Sequence, residues 1–327
     1  MKNGANSSGI FCPVDERRWI ILETSLCKRS FFFGLMMSGT NRRIDLAFIG
    51  GSGLYALDEL KDKEFIRMDT PFGNTSDDIA LGTLGNIEVG FLPRHGRGHV
   101  LLPSEVPYAA NIYALKALGT KVIISISAVG SLRQEIKPLQ VVVPDQLIDW
   151  TKSRKNSYFG EGIVAHVSFA DPFCPISRQV IVKACRSTDV AYHDGGTCIV
   201  IEGPQFSTRS ESLLYRNWGA DIIGMTALPE AKLAREAEIC YSTVAMVTDY
   251  DCWHDEEAAV SAHMVVDNLR KNVETSQELV KQIAANIQIA DSECKCGTAL
   301  ETALLSERLE SSPDSLERIH LLLSKYI

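Results

Sequence analysis

The chain has 327 residues, 45% hydrophobic and 23% charged, with 41 acidic against 33 basic side chains and a formal net charge of −8. That is enough apolar material for one sizeable core, and the acidic balance excludes a general basic field for nucleic acid. No apolar stretch approaches the ~18 residues that span a bilayer, so neither nucleic acid nor a membrane is an expected partner.

Residues 1–44 mix Asn, Ser and Gly with basic pairs and show no sustained period. They read as a poorly ordered extension ahead of a single domain at 45–327. Phe31-Phe-Phe-Gly-Leu-Met-Met37 is too short for a secretory leader and has no small-residue cleavage site behind it, whereas Met36-Met37 offers a second start for translation. From Asp45 the chain alternates strand and helix. Residues 46–49 form a predicted strand ending in Gly50-Gly51-Ser52-Gly53, after which 57–63 leaves about two helical turns and 68–73 a loop. Residues 79–82 and 87–92 pair as a hairpin through Leu84-Gly85-Asn86. Ser104 caps a helix that runs to Leu118 and stops at Gly119. Residues 121–127 form a further strand, and Val141-Val-Val-Pro144 leads into another short edge.

After a long loop at 151–171, Pro175 opens a helix to Thr188, and 198–201 is a strand. Thr208-Arg-Ser-Glu211 is a capping box for a helix through Trp218. A strand at 221–225, a helix at 229–238 and a β-branched strand at 240–247 follow. Residues 256–287 read as a long amphipathic helix with Val260, Met264, Leu269 and Val273 on one stripe, and 316–326 as a short terminal helix. This order predicts one α/β domain with a mixed central sheet flanked by helices. Nine cysteines, an odd number without a small-scaffold framework, point to a reducing cytosol. Cys294-Lys-Cys296 lacks the spacing of a zinc motif and reads as two thiols in a surface turn, or as an oxidised pair; no metal site is expected.

Chemistry gathers at strand ends, where open α/β sheets bind ligands. Asp249 and Asp251 follow the strand at 240–247. Two carboxylates there can grip a ring that offers donors, one of them keeping a proton, although Asp-x-Asp alone also suits a helix cap and a solvated loop. Gly51-Ser-Gly-Leu-Tyr-Ala56 formally fits Gly-x-Gly-x-x-Ala, with Asp69 downstream as an acidic partner, but too short a helix follows for a dinucleotide unit. A smaller role suits it better: its glycines bring the backbone close to an anion and Ser52 donates to it. Arg94-His95-Gly96-Arg97-Gly98-His99 is the densest basic cluster in an acidic chain, and Arg94 is shaped for two-pronged phosphate binding, with His95 as a further donor. Ser127 and Met225-Thr226 end two more strands with small or hydroxyl groups. Together these ends describe one crevice with an anion side and a heterocycle side.

Gly50-Gly-Ser-Gly-Leu54, Pro93-Arg-His-Gly-Arg97 with His99, Glu202-Gly-Pro-Gln-Phe-Ser-Thr-Arg-Ser-Glu211, Gly219-Ala-Asp-x-x-Gly-Met-Thr226 and Thr248-Asp-Tyr-Asp-Cys-Trp253 resemble the 5′-methylthioadenosine phosphorylases, in the trimeric purine branch of the nucleoside phosphorylase superfamily. The resemblance covers about residues 45–327. It implies phosphorolysis of methylthioadenosine to adenine and 5-methylthioribose 1-phosphate, with phosphate as co-substrate, no metal and no cofactor. By the same resemblance Ser52, Arg94, His95, Ser127, Ala128 and Thr226 bind phosphate, and Phe206, Ser207, Asp249 and Asp251 hold the base, the last two catalytic. Met225 lies against the ribose. Ala262, Val265 and His166 face the 5′ group, the last supplied by a neighbouring subunit of a homotrimer or hexamer. Ser52 and Ser127 stand where Thr is expected in animal members, and Ala262 where Val often stands. The alternatives are a purine nucleoside phosphorylase acting on inosine, adenosine or methylthioinosine, and a non-catalytic purine or dinucleotide-binding protein.

Overall fold

Apolar runs bounded by turn residues become the strands of one mixed sheet whose parallel members end together. A computed structural model describes residues 42–51, 53–54, 56–254, 262–287, 294–305 and 313–327, without the side chains of 262–266, 269 and 270. The predicted extension, apart from its last three residues, and the second start at Met36-Met37 lie outside the described residues. Those last three belong to the domain: Ile44 is buried, and Arg42 donates to Asp62 O and to Thr83 Oγ1.

In chain order β1 (Leu46–Gly50) is buried throughout, and β2 (Lys61–Ile66), β3 (Asp69–Thr70) and β4 (Gly73–Asn74) follow. The predicted hairpin is β5 (Ile79–Leu84) with β6 (Ile87–Pro93). α1 (Tyr108–Ala117) leads to β7 (Val122–Ser131), β8 (Val141–Val143) and β9 (Gln146–Trp150). Then come α2 (Pro175–Ser187), β10 (Tyr192–Asp194), β11 (Thr197–Ile201), α3 (Arg209–Asn217) and β12 (Ile222–Gly224). α4 (Ala227–Glu236), β13 (Cys240–Asp249), α5 (Ala262–Asn286) and α6 (Pro313–Leu323) complete the order.

Eleven strands form the main sheet, in the order β10-β8-β13-β7-β1-β6-β5-β2, with β12, β11 and β9 branching from β7. β7 runs parallel to β1 and β13, and its last residues, Gly130 and Ser131, turn to pair antiparallel with β12. Strands buried on both faces carry few charges, and β7 and β13 hold only apolar, small and hydroxyl side chains up to Thr248. α2 and α5 cover part of the sheet with Ile181, Val182, Leu279, Val280 and Ile283 against Phe48, Val244 and Met246, each such side chain contributing about 1.5–3 kcal/mol on full burial. The capping box at Thr208 and Glu211 is present.

Several expectations change. Residues 61–66 are not helical but the edge strand β2, antiparallel to β5; with no crossover helix, the dinucleotide unit is excluded. The first helix starts at Tyr108 rather than after Ser104, because Pro107 disfavours helical geometry at Val106. The described buried stripe of α5 is Asn272, Ser276, Leu279, Val280 and Ile283, with Val273 only half-buried; Val260 and the side chains of Met264 and Leu269 lie outside the described residues. The terminal helix begins three residues earlier, at Pro313. Cys296 is buried, so Cys294-Lys-Cys296 is not a surface turn.

Candidate active site

At the end of β13 the pairing with β7 slips, Val247 facing Val129 and Asp249 facing Gly130. Such a bulge re-aims a side chain and releases ladder carbonyls. Two asparagines of α5 take those carbonyls: Asn268 Nδ2 donates to Thr248 O at 2.6 Å and Asn272 Nδ2 to Val247 O at 3.5 Å. Gly130 makes the approach of Asp249 feasible, since a Cβ there would stand 3.0 Å from Asp249 Oδ1 and 3.0 Å from Ile223 Cγ2.

The two carboxyls are 4% and 7% exposed, for Asp249 and Asp251 respectively, so the solvated-loop reading does not hold. Asp249 accepts from the Thr248 hydroxyl at Oδ2 (2.7 Å) and from the Asp251 N–H at Oδ1 (2.8 Å). Asp251 starts a short 3₁₀ turn at φ 51°, and among the described residues its buried Oδ2 meets no donor in good hydrogen-bond geometry. Burial first, and further the charge of Asp249, push the Asp251 carboxyl above its ordinary range. Burial therefore disfavours the charged form of Asp251, while Asp249 holds two donors in good geometry.

The anion side is built around Arg94, fully buried just beyond β6. Its Nε and Nη2 donate to the Glu230 carboxylate of α4 at 2.9 and 3.0 Å, and Nη2 also to Ser125 Oγ at 2.6 Å. Tyr241 donates its hydroxyl to the same Glu230 at 2.8 Å. The two-pronged edge expected for phosphate is thus engaged by Glu230. Among the described residues Nη1 has only a long bond, 3.3 Å to Ile126 O, and is the part of the fork left for a ligand. The hydroxyls of Ser125, Ser127 and Thr226 stand 3.3 and 3.4 Å apart in sequence. Those separations exceed good O–H···O bonds and leave the hydroxyls able to serve a third partner. The Thr226 side chain does not cap α4.

His95 donates from Nδ1 to Leu101 O at 2.8 Å and stacks on His99 with ring centres 4.4 Å apart. A carbonyl only accepts, so Nδ1 carries the hydrogen and Nε2 of the neutral ring is an acceptor. Burial, then the Arg94 charge, lower its pKa to about 4. The neutral ring therefore offers Nε2 as an acceptor, where the sequence implied that His95 donates.

These groups line one cavity of about 380 Å³, which includes Gly50, Arg94, His95, Ser127, Thr226, Asp249 and Asp251. Such a volume suits a small ligand. Ala128, Phe206, Ser207 and Met225 line it too, with Phe206 largely exposed. His166 does not line this cavity and is exposed, its N–H donating to Ala303 O at 2.8 Å. Ser52 and the side chains of Ala262 and Val265 lie outside the described residues.

Sequence reasoning missed Glu230, Thr248 and Arg154. The Arg154 side chain is buried and donates to the main-chain oxygens of Met225 (2.5 Å), Leu228 (2.7 Å) and Glu202 (2.6 Å). It staples the loop after β11 to the loop after β12. Its only sequence signal was a basic residue in a long loop.

The phosphorylase superfamily profile matches residues 45–285. An S-methyl-5′-thioadenosine phosphorylase of Koribacter versatilis is 50% identical over 282 residues, 86% of this chain and 96% of its own length. The chain belongs to the S-methyl-5′-thioadenosine phosphorylases of this superfamily. It is accordingly a pentosyltransferase. A solved methylthioadenosine phosphorylase from an antarctic soil metagenomic library shares 51% identity and a TM-score of 0.83, covering 86% of this chain and all of its own. An adenosine/methylthioadenosine phosphorylase variant from Schistosoma mansoni, solved with adenine, shares 38% identity and a TM-score of 0.71, over 74% of this chain and 91% of its own. Among the described residues no helix is long and apolar enough to cross a membrane.

Proposed function

We propose that the chain cleaves S-methyl-5′-thioadenosine with inorganic phosphate, without cofactor or metal in the reaction, and releases adenine and S-methyl-5-thioribose 1-phosphate. The observation that carries this reading is the single cavity holding the Arg94 end and the Asp249–Asp251 end. Phosphate sits on Arg94 Nη1 with the Ser127 and Thr226 hydroxyls, and His95 Nε2 accepts its P–OH. One phosphate oxygen attacks C1′ as the C1′–N9 bond breaks. The electron pair of that bond goes to the purine, and N7 takes a proton from the Asp249–Asp251 pair. Two carboxyls this close resist joint ionisation, and burial adds to that at Asp251. The bound base draws that proton to the Asp249 side, freeing Asp251 to accept from the 6-amino group. A 6-oxopurine would oppose acceptor to acceptor there, costing ~1–3 kcal/mol, which favours adenine nucleosides over inosine.

Adenosine is the second substrate we infer, in keeping with the name of the schistosome relative. A homotrimer, or a hexamer of two trimers, supplies His166 from a neighbouring chain. Support comes from the exposed apolar Leu213, Leu214 and Trp218 beside Trp150, a patch of the kind that marks contact surfaces. Seven described cysteines are free thiols, in keeping with a cytosolic enzyme.

The test is adenine release from methylthioadenosine with and without phosphate. Phosphate-dependent release is expected, with Asp249→Asn lowering turnover more than about tenfold, 1.4 kcal/mol. Release that ignores phosphate, or inosine cleaved more efficiently than methylthioadenosine, would overturn the reading.

A further inference from the structure

About 30 Å from the carboxylates, the length of a ten-residue strand, β13 begins at Cys240 in quite different surroundings. The Sγ atoms of Cys174, Cys240, Cys294 and Cys296 all lie within 4.8 Å of one another, those of Cys240 and Cys294 at 3.3 Å. We propose that these four cysteines form a closed tetrathiolate site for zinc(II), which fastens the carboxyl-terminal segment to the sheet.

The distances fit that chemistry. Four sulfurs at ~2.3 Å from a tetrahedral zinc stand ~3.8 Å apart, between the Cys240–Cys294 separation and the outer limit of the set. A covalent pair would need ~2.05 Å and would divide the group two by two, whereas here four sulfurs converge on one point. The main chain holds two of them independently of any metal. Cys174, at the N-cap of α2, donates its N–H to Tyr241 O at 2.8 Å, and Cys240 donates to Lys121 O at 2.9 Å. The other two flank Lys295, Cys294 extended at the N-cap and Cys296 within a 3₁₀ turn (Lys295–Thr298), and their sulfurs lie within the same 4.8 Å set. Three of the cysteines border a hollow of about 780 Å³ that is also lined by Lys116, Lys121 and Lys183. A zinc tetrathiolate carries a net charge of −2, so cations at its approach suit it.

Each thiol gives its proton to solvent on binding, and no electron moves. With four protein ligands no position remains open for a substrate, so the role is mechanical. The site joins a helix start, a strand start and residues 294–296. The last of these lie in the segment that Glu238 also tethers, through Leu300 N–H at 3.0 Å and the Tyr326 hydroxyl at 2.5 Å.

The experiment uses the full chain, reduced and freed of metal by a chelator. Cobalt(II) titration is expected to raise tetrahedral ligand-field bands and thiolate charge-transfer absorption, saturating at one equivalent per chain and abolished by zinc(II). Zinc(II) is expected to raise the melting temperature. Cys296→Ser is expected to weaken zinc(II) binding by more than about 100-fold, beyond the ~10–100-fold that an outer-sphere loss costs. Cys294→Ser, at a half-buried position, serves if that variant fails to fold. Cys198→Ser, buried outside the cluster, is expected to bind as the parent does. The proposal is overturned if the reduced chain, its thiols intact by alkylation, gives no thiolate–cobalt absorption. It is equally overturned if native protein from a reducing cytosol carries disulfides at these positions, seen as the loss of two hydrogens per bond.

Discussion

Arg94 has five N–H donors, and Glu230 takes two of them deep in the core. Arg94→Ala would leave the Glu230 carboxylate buried without its cation, a change that costs about 3–5 kcal/mol in folding stability. Urea unfolding of the variant is thus expected to show a loss of that size, besides weaker phosphate binding. An unchanged midpoint would show that the pair does not support the fold. His95 gives a pH signature. Its ordinary pKa of 6.5 falls to about 4 in the folded chain, so between those values the unfolded chain binds more protons and stability declines as pH falls. Urea midpoints followed from pH 7 to pH 4 should drop less steeply in His95→Gln than in the parent. Arg94, His95 and both aspartates were legible in the sequence because Gly-spaced basic residues and Asp-x-Asp sit at strand ends. Glu230 was not, because a partner 136 residues away leaves no trace in local spacing.

Among the elements, long β-branched strands declared themselves. β9 showed only as a short edge beyond Pro144, and β10, short, half-exposed and polar, not at all, since it depends on register with β8. β2 was taken for helix because its Lys-Asp-Lys-Glu run has no alternation, being the solvent-facing edge beside β5. Arg154 shows how loops acquire rigidity from one planar fork. Arg154→Ala would strand three main-chain acceptors, each ~1–3 kcal/mol if left unpaired, and free the loop that carries Met225. Steady-state kinetics should show kcat/KM for the nucleoside lowered about tenfold or more, with Arg154→Lys failing to rescue it, since an ammonium lacks the fork. Full activity in Arg154→Ala would remove its positioning role.

For the whole molecule, fold class and crevice followed from strand–helix alternation, whereas the cysteine cluster was hidden because Cys174 and Cys240 lie far in sequence from the close pair at 294 and 296. His166 stands outside the cavity of its own chain, and a shared site makes a definite forecast. His166→Ala and Asp249→Asn chains, each impaired alone, should recover phosphorolysis of methylthioadenosine when unfolded together and reassembled, because some sites then combine an intact Asp249 with a neighbour's His166. Failure to recover activity in mixed oligomers would place His166 outside the reaction.

The slipped pairing at the end of β13 constrains how this chain can change length. Side chains on a strand point alternately to opposite sides, so deleting or inserting one residue between Cys240 and Asp249 would turn the Asp249 carboxyl away from the cavity it lines. Two such changes would restore its aim but displace it by about 7 Å. The count of residues in this strand is thus fixed in both parity and number.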